Sequence, residues 1–193
     1  MKLISRWAWL LATLLGGTAC WAQGTQVVDI PSRPGITERM LLALPAGKPS
    51  AVVLLLTGGN GQVGIYDNGS LRNEGNFLVR SRALFVSHGL AALVLDPPSD
   101  HSRAPFLGGT FRDSAEHMAD IGAAVAWARQ RFSVPVWVVG TSRGTHSAAN
   151  AAVMLAGASA PDGIVLTSSV LAANRGGGAT ARPVQETALE KAA

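Results

Sequence analysis

The chain has 193 residues, of which 48% are hydrophobic and 15% are charged, and this size and composition predict one domain with a substantial apolar core. The formal net charge is only +4, and Lys2 and Arg6 at the N-terminus supply two of the positive charges. So small and scattered a charge, with no basic run interleaved with aromatic residues, argues against a nucleic-acid partner.

The first 22 residues have the pattern of a secretory signal peptide. A positively charged start precedes an apolar run from Trp7 to Gly17, and Cys20-Trp21-Ala22 resembles a small-x-small cleavage site. The apolar run is too short to cross a bilayer comfortably, so no stable membrane span is expected after cleavage. We therefore expect a secreted or periplasmic protein, with lipidation at Cys20 as the lesser alternative. Since Cys20 is the single cysteine, the mature chain would contain no disulfide and no thiolate metal site.

Residues 23–170 are predicted to form the folded domain, which begins with two short strands, Val27–Ile30 and Thr37–Leu44, joined as an antiparallel pair. Ala51–Leu56 is a continuous apolar run, which is typical of a strand covered on both faces. This run leads directly into a glycine-rich loop, Thr57-Gly58-Gly59-Asn60-Gly61.

A helix is predicted next, from a cap at Asn76 to about His88, followed by a buried strand at Leu90–Leu95 and a rigid loop at Asp96–His101. The helix residues expected to face the core are Phe77, Leu78, Ala83, Leu84 and Phe85.

The second half of the domain repeats the alternation of helix and strand. The predicted elements are a helix from Asp113 or Ser114 to about Arg131, a strand at Val134–Val139, a helix at Arg143–Gly157 and an apolar strand at Ile164–Thr167. After this strand, residues 171–193 form an irregular tail that contains at most one weak helix. Strands that alternate with helices at this spacing indicate a mostly parallel α/β sheet with flanking helices.

The pentapeptide Gly140-Thr141-Ser142-Arg143-Gly144 lies between the predicted strand and the helix that follows it. A strand that turns abruptly into a helix needs glycine two residues to either side, and the turn lifts the Ser142 hydroxyl out of the sheet. The unpaired N–H groups of the first helical turn would then face the position of an oxyanion. Ser142 is therefore the candidate nucleophile, and the alternative is a structural turn with an idle serine.

The order of these elements, with the Gly140–Gly144 and Thr57–Gly61 motifs, resembles the α/β-hydrolase fold family over residues 27 to 170. The resemblance is to serine esterases, lipases or dienelactone hydrolases. It implies that Gly59 or Asn60 supplies one oxyanion-hole N–H and Arg143 the other. It also implies a small ester-like substrate and no cofactor.

That family places an acid and then a histidine after the nucleophile, whereas His146 is the last histidine of this chain. We therefore expect a sheet that is truncated after about the sixth strand and lacks the family's C-terminal part. His146 would point along a buried helix. His101, beside Asp100 in the loop after the fourth strand, is the better candidate for a spare base or a pocket residue. The four histidines are too dispersed to predict a metal site.

Three functional interpretations stay open at this point. The chain is a serine hydrolase acting on an ester, a catalytically incompetent fragment or pseudoenzyme of the same fold, or a peptidase or thioesterase. If the sheet ends at Ile164–Thr167, this apolar strand presents an unpaired edge, which predicts marginal stability and self-association.

Overall fold

A computed structural model describes residues 23–170, so the predicted signal peptide, Cys20 and the C-terminal tail lie outside the described residues. In this described part of the chain, six strands form one sheet in the spatial order β1-β2-β4-β3-β5-β6. The first two strands are antiparallel to each other, and β2 is antiparallel to β4, while β4, β3, β5 and β6 run parallel. The strands are β1 (Gly24–Arg33), β2 (Ile36–Leu44), β3 (Val52–Leu56), β4 (Ala91–Leu95), β5 (Val136–Thr141) and β6 (Gly163–Thr167).

Three α-helices between residues 23 and 170 cover the two faces of the sheet: α1 (Phe77–Ser87), α2 (Ala115–Phe132) and α3 (Gly144–Met154). The alternating side chains of each strand divide the core into two clusters. In β3, Val52, Leu54 and Leu56 pack with residues of α2 and α3 on one face of the sheet. Val53 and Leu55 pack with residues of α1 on the other face. Because β3 and β4 are buried along their whole length, their sequences are apolar without alternation. The architecture is therefore a mixed α/β sheet between two helical layers.

The helix starts follow the capping residues that the sequence contains. The side chain of Asn76 accepts a hydrogen bond from the Leu78 N–H at the start of α1, and the side chain of Ser114 accepts one from the His117 N–H at the start of α2. Both caps confirm the predicted helix starts to within a residue or two. No helix in the described part of the chain is long and apolar enough to cross a membrane.

Two details of the helix predictions are wrong. Helix α1 buries Leu78 and Val79, whereas Phe77 and Leu84 are 49% and 64% exposed, because only a narrow strip of this helix contacts the sheet. Helix α3 ends at Met154 rather than near Gly157, since Leu155 is already extended and Gly157 has a φ of 62°.

Strand β6 lies at one edge of the described sheet, where it pairs with β5. Val165 is 41% exposed and Leu166 is 37% exposed on this strand, which is more than any residue of β3 or β4. Within residues 23–170, β6 is therefore an edge strand with two partly exposed apolar side chains, and self-association through this edge stays a prediction.

Candidate active site

Ser142 lies at the sharp turn between β5 and α3. Its φ of 49° is in the left-handed region, which L-residues other than glycine rarely adopt. The surrounding backbone fixes this conformation: the Ser142 N–H donates to the Thr167 carbonyl at the end of β6 over 3.0 Å, and the Ser142 carbonyl accepts from the Thr145 N–H over 3.0 Å. A strained serine that neighbouring elements hold in place is a reason to expect function at this residue.

Glycines leave the space that this turn requires. A Cβ atom on Gly144 would collide with the carbonyl oxygen of Leu56, and a Cβ atom on Gly140 would collide with the backbone of Gly144. On the opposite side, a Cβ atom on Gly58 would lie 3.0 Å from the Cβ atom of Ser142. The glycine-rich loop after β3 therefore packs directly against the candidate nucleophile.

Ser142 opens into a cleft of about 580 Å³ at the carboxyl ends of the parallel strands. The lining combines backbone, hydroxyl groups, carboxamides and one aromatic ring, and it contains no charged side chain among the described residues. The lining residues are Gly58, Gly59, Asn60, Gln62, Asn73, Asn76, Phe77, Thr141, Ser142 and Ser168.

Backbone N–H groups are available on both sides of Ser142. Among the described residues, no acceptor takes a hydrogen bond from the amide nitrogens of Gly59, Asn60 or Arg143. Gly59 and Asn60 line the cleft. Arg143 occupies the N-cap position of α3, and the positive end of this helix dipole faces Ser142. The two predicted sources of oxyanion-hole donors are thus adjacent to the serine, while their catalytic roles stay predictions.

Neither His101 nor Asp100 is among the described residues that line this cleft. The Nδ1–H of His101 donates to the Phe106 carbonyl over 2.9 Å, and its ring stacks on Phe111 with centroids 3.6 Å apart. Asp100 pairs with Arg33 over 2.9 Å. A role for either residue as base or pocket residue stays a prediction that no contact with Ser142 supports.

The other three histidines also lie outside the lining. His88 contacts the Leu84 carbonyl through Nδ1 over 2.8 Å at the end of α1. His117 is buried and contacts the Ser147 hydroxyl over 2.8 Å, and burial lowers its pKa to about 3. His146 is buried on α3, where burial lowers its pKa as well. All four histidines of the sequence belong to the described residues, and none of them lines the cleft.

A buried polar cluster lies beneath the glycine-rich loop. Arg112, which is 4% exposed, donates to the carbonyl oxygens of Thr57 and Gly59 and to the hydroxyl of Ser147. Asn150 of α3 donates to the side chain of Asp113 over 2.9 Å. This cluster connects the loop on one side of Ser142 with the helix on the other side.

Asp96, the first residue after β4, organises the segment that carries much of the cleft lining. Its carboxylate accepts three backbone hydrogen bonds, from Val63 at 2.9 Å, Gly64 at 3.0 Å and Ile65 at 2.8 Å. The same segment pairs with residues 72 and 73, whose N–H groups donate to the Gly64 and Val63 carbonyls. In this way Asp96 positions Gln62 and Asn73 at the cleft.

Six residues of the lining were not predicted from the sequence as cleft residues: Thr141, Ser168, Gln62, Asn73, Asn76 and Phe77. For Thr141 and Ser168 a signal exists, since both follow parallel strands whose carboxyl ends meet at one edge of the sheet. For the others no local pattern predicts the position, because Asp96 and Arg39, which are distant in sequence, hold the segment at residues 63–65. Among the described residues, no group of three histidine, cysteine, aspartate or glutamate side chains could hold a metal ion.

No family model matches the sequence, and a search of curated proteins finds no match either. Solved structures do match the fold. Those similar to this chain include a lipase in its open form, with a TM-score of 0.55, 18% identity and 78% of this chain covered. A dienelactone hydrolase from Anabaena variabilis has a TM-score of 0.54 at 18% identity and 75% coverage, and a sugar hydrolase from Lactococcus lactis has 0.55 at 14% identity and 77% coverage.

The chain spans 46% of the lipase, 62% of the dienelactone hydrolase and 54% of the sugar hydrolase. At these identities the similarity establishes the fold. The sheet order, the strand–serine–helix turn and these neighbours together show that residues 23–170 have the α/β-hydrolase fold.

Proposed function

We propose that this chain is a serine hydrolase-type protein that acts on an ester or related acyl substrate through Ser142. The single observation that carries the proposal is the position of Ser142: a strained turn at the mouth of a 580 Å³ cleft, with unpaired backbone N–H groups on both sides. Hydrolases among the structures of the same fold support the coarse assignment.

The proposed chemistry is acyl transfer followed by hydrolysis. The Ser142 oxygen attacks the substrate carbonyl carbon, and the carbonyl oxygen becomes an oxyanion that the N–H groups of Gly59 or Asn60 and Arg143 stabilise. Collapse of this intermediate breaks the bond to the alcohol, which leaves with a proton, and water then releases the acid from the acyl-serine. These steps require no cofactor.

The serine proton must pass to a base, because an un-ionised serine hydroxyl is a weak nucleophile. No histidine lines the cleft within residues 23–170, where all four histidines lie. This observation favours the second candidate, a catalytically incompetent protein that keeps the serine turn of the fold. A peptidase or thioesterase would use the same turn and is separated from an esterase only by its substrates.

The cleft lining favours an uncharged, oxygen-containing substrate. The Oδ1 atoms of Asn60 and Asn76 accept hydrogen bonds from backbone N–H groups, so their amide NH₂ ends are the groups left to contact a ligand. Such donors suit ester carbonyl and hydroxyl oxygens. A charged group would lose its hydration here without gaining an ionic partner from the described lining.

A panel of activated esters tests this proposal. We expect the protein to hydrolyse nitrophenyl acetate faster than a nitrophenyl ester that carries a free carboxylate. In Ser142→Ala, the hydrolysis rate of both esters should fall to the uncatalysed rate in buffer. Ser168→Ala is the matched control, since Ser168 is a second serine in the same cleft. Equal hydrolysis by wild type and Ser142→Ala would refute the enzyme proposal and favour the incompetent alternative.

The proposal extends to location: we place the protein outside the cytoplasm, secreted or periplasmic, on the basis of the N-terminal 22 residues. Mass determination of the exported chain tests it. A mature N-terminus at Gln23 is expected, a lipid on Cys20 would indicate the lipoprotein alternative, and an uncleaved cytoplasmic chain would refute export.

A further inference from the structure

Arg112 lies in a short helical turn, Phe111–Asp113, just before α2, and its side chain enters the protein interior. It is 4% exposed and does not line the Ser142 cleft. Instead it borders a small internal cavity on the inner side of the loop, together with Thr57, Gly61 and His117. A buried arginine is costly to the fold, so its contacts call for an explanation.

The guanidinium group holds one side of the glycine-rich loop. Nη2 donates to the Thr57 carbonyl over 3.0 Å and to the Gly59 carbonyl over 3.4 Å. A Cβ atom on Gly61 would lie 3.0 Å from Nη2, so glycine at this position leaves room for the guanidinium group.

These carbonyl contacts determine where the loop N–H groups point. In a planar trans peptide the C=O and N–H bonds point in opposite directions. The Thr57 carbonyl shares its peptide group with the Gly58 N–H, and the Gly59 carbonyl shares its peptide group with the Asn60 N–H. Because Arg112 binds both carbonyls on the inner side, both N–H groups point away from it, and Gly58 and Asn60 line the cleft.

The other terminal nitrogen of the guanidinium group, Nη1, binds α3. Nη1 donates to the Ser147 hydroxyl over 2.8 Å, and the Arg112 carbonyl accepts from Asn150 Nδ2 over 3.4 Å. Ser147 lies on the helix that begins directly after Ser142 and Arg143. One side chain therefore connects the two elements that carry the proposed oxyanion donors.

Arg112 also brings a positive charge to this region, and Asp113 attracts it only from beyond ion-pair distance. The ion pairs among the described residues do not include it. Burial lowers its pKa to about 9, with repulsion from Arg143 as a further cause, so the group is still a cation at neutral pH. A cation behind the loop N–H groups favours a negative charge in front of them.

We infer that Arg112 is a positioning residue that aligns the glycine-rich loop with the start of α3 and favours an oxyanion at Ser142. The inference rests on the proposed function for its catalytic consequence, but the alignment of the loop is a property of the chain itself. Arg112 touches no reacting atom, so its effect passes through the backbone of Gly58 and Asn60.

The test compares Arg112→Met with Arg129→Met in the full chain. Arg129 also holds two backbone carbonyls, those of Ala158 at 3.3 Å and Ala160 at 2.7 Å, but at the far end of α2. Both variants lose carbonyl contacts, so both are expected to melt at a lower temperature than wild type. Only a positioning role of Arg112 predicts a change that is confined to the loop beside Ser142.

Two measurements detect a change in the loop beside Ser142. We expect amide NMR order parameters of Gly58 and Asn60 to fall from the rigid range near 0.85 to below about 0.6 in Arg112→Met, and to stay unchanged in Arg129→Met. We also expect Ser142 to react with a fluorophosphonate about 10- to 100-fold more slowly in Arg112→Met. Millimolar guanidinium should restore both quantities in Arg112→Ala, which a general loss of stability would not explain.

Unchanged order parameters of the loop in Arg112→Met would overturn the inference, as would equal effects of the two substitutions on the loop. If Arg112→Met does not fold, Arg112→Lys takes its place, because one ammonium group keeps the charge but cannot hold the loop carbonyls and Ser147 together. If wild-type Ser142 is itself unreactive, the proposed function fails, and the order parameters still decide whether Arg112 aligns the loop.

Discussion

Removal of the Asp96 side chain is expected to be among the most damaging single changes to this protein. One carboxylate accepts the N–H groups of Val63, Gly64 and Ile65, all within 3.0 Å. In Asp96→Ala these three donors lose their acceptor. A buried donor without a partner costs about 1–3 kcal/mol, and the lower end applies because the three contacts are partly buried, so the loss is about 3 kcal/mol.

Asp96→Asn is the matched variant for this prediction. Oδ1 accepts two of the three hydrogen bonds and Oδ2 accepts the third, from Ile65. A carboxamide can keep the pair on its oxygen, but its NH₂ group then faces the Ile65 N–H, donor against donor. The expected loss is therefore smaller than for Asp96→Ala, about 1–2 kcal/mol.

Urea denaturation of wild type, Asp96→Ala and Asp96→Asn measures these differences, provided that the slope of free energy against urea stays the same. The fluorophosphonate reaction of Ser142 serves as a second measurement, since Asp96 holds the segment that carries Gln62 and Asn73. A cost of less than about 1 kcal/mol for Asp96→Ala, or an equal cost for Asp96→Asn, would show that these three hydrogen bonds do not stabilise the fold as expected.

Three further predictions concern a buried acid, the serine turn and the sheet edge. Burial raises the pKa of Glu38 well above 4.5, so the folded protein retains a proton that the unfolded chain releases, and stability falls as the pH rises above 4.5. Glu38→Gln removes this pH dependence, so its free energy of unfolding should exceed that of wild type by a margin that grows as the pH rises. If the free energies of the two proteins were equal at every pH, the raised pKa of Glu38 would be contradicted. Gly144→Ala should destabilise by about 3 kcal/mol in urea, because its Cβ atom collides with the Leu56 carbonyl, whereas Gly24→Ala, with open space around it, should not; similar midpoints would count against the packing account. We propose that wild type self-associates through β6 and that Val165→Lys, which charges an exposed edge residue, lowers the association seen in sedimentation velocity; a monomeric wild type would rule this out.

The features that sequence reasoning predicted are those set by neighbouring residues. The caps at Asn76 and Ser114, the strand predicted at Leu90–Leu95 and the glycines around Ser142 each depend on a few adjacent positions. The structure contains all of them, with the strand beginning one residue later, at Ala91. Local chemistry is enough there because a cap or a tight turn is formed within one stretch of chain.

The missed features depend on contacts between distant parts of the chain. Arg112 contacts Thr57 and Ser147, which are 55 and 35 residues away, and Asp96 contacts Val63 across 33 residues. In sequence, Arg112 follows an irregular stretch with no periodicity, so nothing indicates that its side chain is buried. Asp96 follows a strand, as many loop residues do, and its three N–H donors cannot be identified before the fold is known.

The exposed part of α1 shows a different limit. An apolar residue in a helix predicts burial only if another element covers that face, and Phe77 instead lines the cleft while Leu84 faces solvent. Sequence alone does not reveal which face of α1 the sheet covers, because that depends on the position of the helix across the strands.

If Ser142 is an activated nucleophile, it is the residue that a fluorophosphonate modifies in the folded full chain. Peptide mass spectrometry locates the adduct in wild type, Ser142→Ala and Ser168→Ala. We expect one adduct, on Ser142, which disappears in Ser142→Ala and persists in Ser168→Ala. A folded wild-type protein without an adduct, or with one that survives Ser142→Ala, would mean that the serine turn has no catalytic chemistry.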